Sequence, residues 1–295
     1  MKIRNVEALF TPPSPHFVGD GFRVHNYIPG VPRLNMQRMS PFIMLDYNAK
    51  YEFPPSKRPK GVGVHPHRGF ETVTIAYEGS VAHGDSYGNH GVIRKGDVQW
   101  MTAASGVLHK EYHEEEFSKK GGTFQMVQLW VNLPAKDKMS PPKYQDIKHE
   151  AIPKVQLGDG TSLVEVIAGE YKGTRGIAST FTPVHMMNAR LKKGGKADFD
   201  FPAHFNTIVL VVEGTVTING GTVKTDSLAL MKNEEGAFTI EAADDAIALV
   251  LSGEPIDEPI AAHGPFVMNT HQEILQAFQD YNLGKFGYLE DEYEK

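Results

Sequence analysis

Two histidines stand one residue apart in the stretch VGVHPHRGFETV, at positions 65 and 67. Residues i and i+2 of a β-strand point to the same face, so both imidazoles would project together while Pro66 faces the other way. Proline removes a donor from the ladder, which suits a strand start or edge at the mouth of a barrel. A chain with 13 histidines among 295 residues contains roughly 0.6 such pairs by chance, so the pair needs support from elsewhere in the sequence.

A second pair with the same spacing, His109 and Glu111, lies in the stretch GVLHKEYHE. His-x-Glu occurs twice more, but only this copy directly follows a strand-and-turn segment, GDVQWMTAASGV, that can lie antiparallel to the strand of His65 and His67. Closing such strands into a barrel turns both pairs inward. Three imidazoles and one carboxylate suit Fe(II), Mn, Ni, Cu or Zn, and a six-coordinate ion would keep two positions open for chemistry. The chain has no cysteine, so a metal must use His, Asp, Glu or water.

The elements that would position these pairs are short apolar runs separated by turn residues, a pattern typical of an all-β sandwich or barrel. Two such series flank residues 134–153, a segment with four prolines and mixed charge that we interpret as a linker. A chain of 295 residues is long for a single core. We therefore expect one domain at residues 1–133, the linker at 134–153 and a second domain at 154–295.

The two series look like copies of one unit. IAYEGSVAHGD in the first matches LVVEGTVTING in the second in the order strand, Glu-Gly, strand, at an offset of 135 residues. This offset places Asp200 and Pro202 opposite the two histidines of the first pair. A matching alignment places Phe238 and Ile240 opposite the second pair. We therefore expect the metal site in the first copy only.

A C-terminal helix is predicted by the capping box at residues 270–273, Thr-His-Gln-Glu, and by a glycine stop at position 284. Its apolar stripe would consist of Ile274, Leu275, Phe278 and Tyr281. The net charge of -6 and the scattered basic residues argue against direct binding of nucleic acid. No stretch approaches the roughly 18 apolar residues of a membrane helix, and the first residues lack an apolar signal core, so we expect a cytoplasmic protein.

Several motifs together resemble the signatures of the pirin family of bicupins: HPHRGFETV, EGSVAH, GDVQWMTAASGVLHKE, LWVNLP and EPIAAHGPFVMNT. The resemblance covers nearly the whole chain. It implies an all-β bicupin fold of two antiparallel β-barrel domains of the jelly-roll or cupin type, with a short C-terminal helix. It also implies that the N-terminal cupin alone holds a metal.

The resemblance assigns the three histidine ligands to His65, His67 and His109. It assigns the glutamate ligand to Glu111, which we also expect to act as the catalytic base. The cofactor it implies is one divalent transition metal, first of all Fe(II), with Mn, Ni, Cu or Zn as alternatives.

Other polar residues near these motifs are candidates for the surroundings of the site. Glu71 stands where cupins at large place their glutamate ligand, and we expect it to support a ligand. Gln128 would hydrogen-bond a substrate if its strand face is inward, and His113 follows the second pair with the same alternation. We expect His83 to lie near a turn outside the site, and Arg68 to form a surface ion pair.

Two functions follow from the resemblance. The first is a quercetin 2,3-dioxygenase-like oxidoreductase, which opens a flavonol ring with O2 and releases carbon monoxide. The second is a non-catalytic, metal-containing regulator that binds a transcription factor or a metabolic enzyme. The expected partners are thus a small aromatic substrate and O2, or a protein, and two fused cupins favour a monomer.

Overall fold

The structure is a computed structural model that describes residues 2–293. The first strands in chain order are β1 (Val6–Phe10), β2 (His16–Val18), β3 (Phe22–Ile28), β4 (Phe42–Phe53), β5 (Gly61–His67), β6 (Phe70–Glu78), β7 (Ser80–Asp85), β8 (His90–Arg94), β9 (Val98–Thr102), β10 (Val107–His113), β11 (Gly122–Asn132) and β12 (Lys143–Ile147). The later strands are β13 (Lys154–Gln156), β14 (Leu163–Ala168), β15 (Glu170–Tyr171), β16 (Thr174–Arg175), β17 (Val184–Leu191), β18 (Lys196–Asp200), β19 (Asn206–Glu213), β20 (Thr215–Ile218), β21 (Gly221–Lys224), β22 (Leu228–Met231), β23 (Ala237–Ala242), β24 (Ala246–Gly253), β25 (Ala261–His263) and β26 (Phe266–Met268). The helices are α1 (Met36–Met39), α2 (Glu115–Lys120) and α3 (His271–Asn282), with 3-10 turns at Pro32–Leu34, Ala135–Asp137 and His149–Ala151.

The chain folds into two compact units. The N-terminal unit contains residues 13–149 and 256–293, and the C-terminal unit contains residues 2–12 and 150–255. The sequence-based boundaries 1–133 and 154–295 put each end of the chain in the nearer domain. In the structure, residues 2–12 belong to the C-terminal unit and residues 256–293 to the N-terminal unit. The physical reasons are that β1 pairs with β22, and that α3 buries its apolar residues in a cluster with Leu108 of β10.

The N-terminal unit contains two large antiparallel sheets and a two-stranded one, β25-β26. A seven-stranded sheet has the order β12-β9-β6-β11-β4-β3-β2, and a four-stranded sheet has the order β5-β10-β7-β8. Many strands are short, bounded by turns and buried along nearly their whole length, as β6 and β9 are, which matches the short apolar runs of the sequence. The two strands that carry the predicted metal ligands, β5 and β10, are neighbours in the smaller sheet.

The C-terminal unit repeats this arrangement, with a seven-stranded sheet β1-β22-β19-β24-β17-β14-β13 and a four-stranded sheet β18-β23-β20-β21. The matching Glu-Gly pairs occupy the same step in both units, between β6 and β7 and between β19 and β20. Gly79 has φ 82° and Gly214 has φ 75°, values that favour glycine. The predicted all-β bicupin fold is confirmed.

Aromatic side chains fill the C-terminal unit at the positions where the N-terminal unit has the predicted ligand pairs. Phe199 lies opposite Phe238 between β18 and β23, as His65 lies opposite His109 between β5 and β10. The residue that corresponds to His65 is therefore Phe199 rather than Asp200, so the predicted offset is one residue too long at this strand. The rings of Phe199 and Phe238 are buried and stacked, with centroids 5.5 Å apart.

The short C-terminal helix α3 begins at the predicted capping box. The Thr270 hydroxyl accepts a hydrogen bond from the Glu273 backbone, and the Glu273 carboxylate accepts one from the Thr270 backbone. The buried residues of the helix are Ile274, Ala277 and Asp280. Two residues of the predicted apolar stripe are exposed instead, namely Leu275 and Tyr281. With 12 residues, α3 is the longest helix within residues 2–293, where no helix has the length and apolar character needed to cross a membrane.

Candidate metal centre and substrate pocket

Three histidines meet on the inner face of the smaller sheet of the N-terminal unit. Antiparallel pairing of β5 and β10 places His65 directly opposite His109, and the strand period of two brings His67 to the same side. The ring centroids are 4.2 Å apart for His65 and His109, 4.7 Å for His67 and His109, and 4.9 Å for His65 and His67. One ring nitrogen of each residue lies within 4.8 Å of the other two. Three of the four predicted ligands are thus brought together.

Glu111 lies two residues beyond His109, past an irregularity in the β5–β10 ladder. With His109 and His83 it forms a second group whose ligand atoms lie within 4.8 Å of one another. Its carboxylate accepts hydrogen bonds from the Thr74 hydroxyl at 3.3 Å and from the Gln128 amide at 3.1 Å. Burial raises the pKa of Glu111, and the nearby His83 and these two donors act against that rise. The two groups share His109, so the carboxylate is held beside the histidine cluster.

The sequence suggested that His83 lies near a turn outside the site, but the structure places it inside the site. It belongs to β7, stands opposite Glu111 in the β7–β10 ladder, and its ring is 5.6 Å from that of His109. Its Nε2 is 3.5 Å from the Asp85 carboxylate, and Tyr144 stacks on the ring at 5.1 Å. The sequence feature that could have indicated this position is His83-x-Asp85, two polar residues on the same strand face after the Glu-Gly turn. That signal becomes decisive only when β7 is known to pair with β10.

Backbone carbonyls orient two of the three clustered imidazoles. His65 Nδ1 is 2.7 Å from the Gly63 carbonyl oxygen, and His67 Nδ1 is 3.3 Å from that of Pro265. A carbonyl oxygen only accepts, so Nδ1 carries the proton in each ring and Nε2 keeps its lone pair. Burial lowers the pKa of both His65 and His67. The rings therefore stay in the neutral form that binds metals.

A largely apolar pocket with a volume of about 380 Å³ opens beside these residues. This size lies within the range of roughly 300–1,000 Å³ found for small-molecule sites. Trp130 lines the pocket, stacks on Phe70 at 4.1 Å and meets the His67 ring edge-on at 5.1 Å. Gln128 lines the pocket too, so this face of its strand points inward. The other apolar lining residues are Val18, Phe22, Val24, Met44, Val62, Met126 and Pro265.

Two residues that the sequence suggested for the surroundings of the site lie elsewhere. Glu71 is on the opposite strand face from Thr74, where its carboxylate accepts a hydrogen bond of 2.6 Å from the Thr102 hydroxyl, and burial raises its pKa to about 7. His113 faces inward, but its ring packs among four phenylalanine rings and its Nε2 is 2.8 Å from the Gly21 carbonyl oxygen. Glu71 lies outside the site because the alternation along β6 turns its side chain to the other face of the sheet. His113 lies outside it because it is too far along β10 from the histidine cluster.

Arg68 forms a buried ion pair in place of the expected surface pair. Its Nη1 is 2.8 Å from the Asp280 carboxylate of α3, and the two side chains are 5 % and 8 % exposed. Its Nε donates to the Ser105 carbonyl at 2.7 Å, and its guanidinium lies 4.6 Å from the centre of the Phe286 ring. The residue after the second clustered histidine is thus tied to the C-terminal segment of the same unit.

The sequence also matches known protein families. Residues 21–131 match the family model for pirin, and residues 186–287 match that for the pirin C-terminal cupin domain. The chain belongs to the pirin family. It is 46 % identical over 284 residues to a protein of Pseudomonas aeruginosa provisionally named as a quercetin 2,3-dioxygenase, covering 96 % of this chain and 99 % of the relative.

Two further comparisons extend along nearly the whole of this pirin. A pirin-like protein of Solanum lycopersicum is 41 % identical, covering 92 % of this chain and 89 % of its own. The crystal structure of a quercetin 2,3-dioxygenase from Acinetobacter baumannii superimposes with a TM-score of 0.91 at 46 % identity, covering 98 % of this chain and all of that one. The family expected from the motifs is therefore confirmed over both cupin domains.

The residues of this pirin fit a transition-metal ion. Both ring nitrogens of His109 are buried, and neither has a hydrogen-bond partner among residues 2–293. Leaving a buried polar atom unpaired costs roughly 1–3 kcal/mol, and a bound metal would satisfy one of these nitrogens. The donor set of neutral imidazoles and one carboxylate suits Fe(II), Mn, Ni, Cu or Zn. The His/Glu cluster can therefore hold a metal.

Proposed function

We propose that this pirin is a metal-dependent dioxygenase that acts on a flavonol such as quercetin with O2. The observation that carries the proposal is the cluster of three imidazoles, in which neither nitrogen of His109 has a hydrogen-bond partner among residues 2–293, beside a largely apolar pocket of about 380 Å³. The names of the relatives from Pseudomonas aeruginosa and Acinetobacter baumannii support the same reaction class.

In this proposal His65, His67, His109 and Glu111 hold one divalent ion, Fe(II). When bound, the ion supplies Lewis-acid polarisation of a substrate hydroxyl and redox contact with O2. Nδ1 of His65 and of His67 is occupied by a backbone carbonyl, which leaves Nε2 of both rings for the ion. Their carbonyl partners thereby fix the ring tautomer before any metal binds.

Glu111 is the proposed general base. Its carboxylate faces the pocket, where it would take the proton of the flavonol 3-hydroxyl and so make the ring system electron-rich. Gln128 donates to one oxygen of Glu111. The single Thr74 O–H is shared between the Gln128 oxygen at 2.6 Å and the other Glu111 oxygen at 3.3 Å, so both the amide and the carboxylate are fixed. Trp130 and the other apolar lining residues would hold the planar rings and exclude water.

The test is to purify the protein with its native metal, quantify the metal, and follow flavonol absorbance together with O2 uptake and CO release. We expect wild type to bind iron and turn over flavonol, and both His109→Ala and Glu111→Ala to lose activity by at least about 100-fold. His90→Ala is the control, because His90 is exposed and lies outside the pocket.

Two results would count against this proposal. Bound metal without flavonol turnover would exclude this substrate and favour the regulatory alternative, and wild-type protein without any metal would exclude the metal site itself. The expected monomeric state, cytoplasmic location and lack of a nucleic-acid partner stay predictions.

A further inference from the structure

The C-terminal segment reaches the strand that carries the first two histidines. The Asp291 carboxylate accepts a hydrogen bond from the Val64 backbone N–H at 3.0 Å, one residue before His65. It also accepts from the Tyr112 hydroxyl at 3.0 and 2.9 Å, and from the Tyr293 backbone at 3.0 Å. The C-terminal segment therefore places one carboxylate, that of Asp291, on β5.

The contact with Val64 matters because of the peptide group to which this N–H belongs. The Val64 N–H and the Gly63 carbonyl are the two ends of one peptide unit. The Gly63 oxygen is 2.7 Å from His65 Nδ1, and the Val64 nitrogen is 3.0 Å from Asp291 Oδ2. A carboxylate that accepts from the N–H polarises the unit and makes its carbonyl a stronger acceptor. The two hydrogen bonds therefore reinforce each other.

Neighbouring contacts hold Asp291 in place without touching this peptide. Lys110 of β10 donates to the Glu290 carbonyl at 2.7 Å and pairs with the Glu292 carboxylate. The Tyr293 hydroxyl is 3.1 Å from the carboxylate of Glu115. These contacts supply control positions on the same segment.

We propose that Asp291 is a positioning residue for the metal ligand His65, acting through the Gly63–Val64 peptide. Many metal sites fix a histidine by a direct carboxylate contact to its second nitrogen, and here a peptide group stands between the carboxylate and the imidazole. Asp291 thereby favours the Nδ1-protonated tautomer of His65 and raises the electron density at Nε2. The inference rests on the proposed metal site.

The first measurement is the affinity of the metal-free full-length protein for Ni²⁺, by competition with a chelator. Direct carboxylate partners of ligating histidines contribute about 10–100-fold to affinity, so we expect Asp291→Asn to weaken Ni²⁺ binding by about tenfold through the intervening peptide. Glu292→Gln loses only an exposed ion pair, and we expect its affinity to stay within about twofold of wild type. Equal losses in the two variants, or none in Asp291→Asn, would overturn the proposal.

The second measurement needs no metal. In the metal-free protein, ¹⁵N NMR of the histidine rings, with His65 assigned from a His65→Gln spectrum, reports which nitrogen is protonated. We expect Asp291→Asn to increase the Nε2-protonated fraction of His65 and to leave His67 unchanged, while Glu292→Gln changes neither. An unchanged His65 signal in Asp291→Asn would refute the relay. If wild type binds no Ni²⁺, the proposed metal site fails, and the NMR result alone decides the role of Asp291.

Discussion

Replacing Asp280 by alanine tests how strongly the segment around the clustered histidines depends on the C-terminal helix. The carboxylate of Asp280 accepts hydrogen bonds from Arg68 at 2.8 Å, from Lys285 at 2.8 Å and from Gln276 at 2.9 Å. The Arg68 side chain is only 5 % exposed, so the variant would leave a cation buried without its anion.

The expected loss of stability can be worked out from these contacts. Removing one member of a buried ion pair costs about 3–5 kcal/mol. Arg68 would keep its hydrogen bond to Ser105 and its contact with the Phe286 ring, which places the loss near the lower end, at about 3 kcal/mol. Lys285→Ala is a matched control on the same carboxylate. Because the Lys285 side chain is 56 % exposed, water can replace it, and we expect a loss below about 1 kcal/mol.

Urea unfolding followed by tryptophan fluorescence measures the relevant unit, because both tryptophans of the chain, Trp100 and Trp130, belong to the N-terminal unit. Lys285 first, and then Arg68 and Gln276, hold the pKa of Asp280 well below its usual range. A lowered carboxyl pKa stabilises the fold above the unfolded value of about 3.9, and this stabilisation is lost as the pH falls further. The difference between wild type and Asp280→Ala should therefore shrink below about pH 4.

The reasoning would be refuted by a loss below about 1 kcal/mol at pH 7 in Asp280→Ala, or by equal losses in Asp280→Ala and Lys285→Ala. A small loss would mean that water reaches Arg68 readily once its partner is gone, so that the buried guanidinium does not require the carboxylate. Equal losses would mean that the contact with the exposed Lys285 stabilises the fold as much as the contact with the buried Arg68.

Four further substitutions test other residues of the N-terminal unit. Burial lowers the pKa of His113 to about 4, so the folded state resists a proton that the unfolded state binds near pH 6.5. As the pH falls from about 6.5 to about 4, the free energy of unfolding of wild type should decrease by up to ~3 kcal/mol, and that of His113→Phe should decrease less in the same urea assay. Gln128→Leu removes a donor that lowers the pKa of Glu111, so the acid limb of the kcat/KM profile should move to higher pH; an unmoved limb would contradict the proposed base. His83→Phe should weaken Ni²⁺ binding by about 10–100-fold and His65→Phe by more, whereas equal losses would mean that His83 is itself a ligand.

The sequence alone predicts those parts of the site that depend on local alternation. His65 and His67 share a face because they are two residues apart on one strand, and the capping box, with Thr270 as N-cap, fixes the start of α3 at His271. The duplicated Glu-Gly turns also reveal two units of one architecture. Such features follow from the strand period and from turn chemistry, which need no knowledge of distant partners.

Features that depend on long-range pairing are not accessible in this way. His83 joins the site because β7 pairs with β10 in one particular register, and a shift by one residue would turn it outward. Arg68 is buried only because α3 returns to the N-terminal unit with Asp280 on its inner face. Glu111, which faces His83, and Asp280, which pairs with Arg68, are both distant in sequence from these residues, so no local pattern indicates either contact.

Because residues 256–293 belong to the N-terminal unit, that unit cannot be expressed as one continuous piece of the chain. A fragment that stops at the linker near residue 149 would lack β25, β26 and α3, and with them Pro265 at the pocket wall and the carboxylate partner of Arg68. The unit that contains the histidine cluster is thus encoded by two separated stretches, 13–149 and 256–293. An isolated version would require a fusion gene that joins these stretches through a new linker and omits the C-terminal unit.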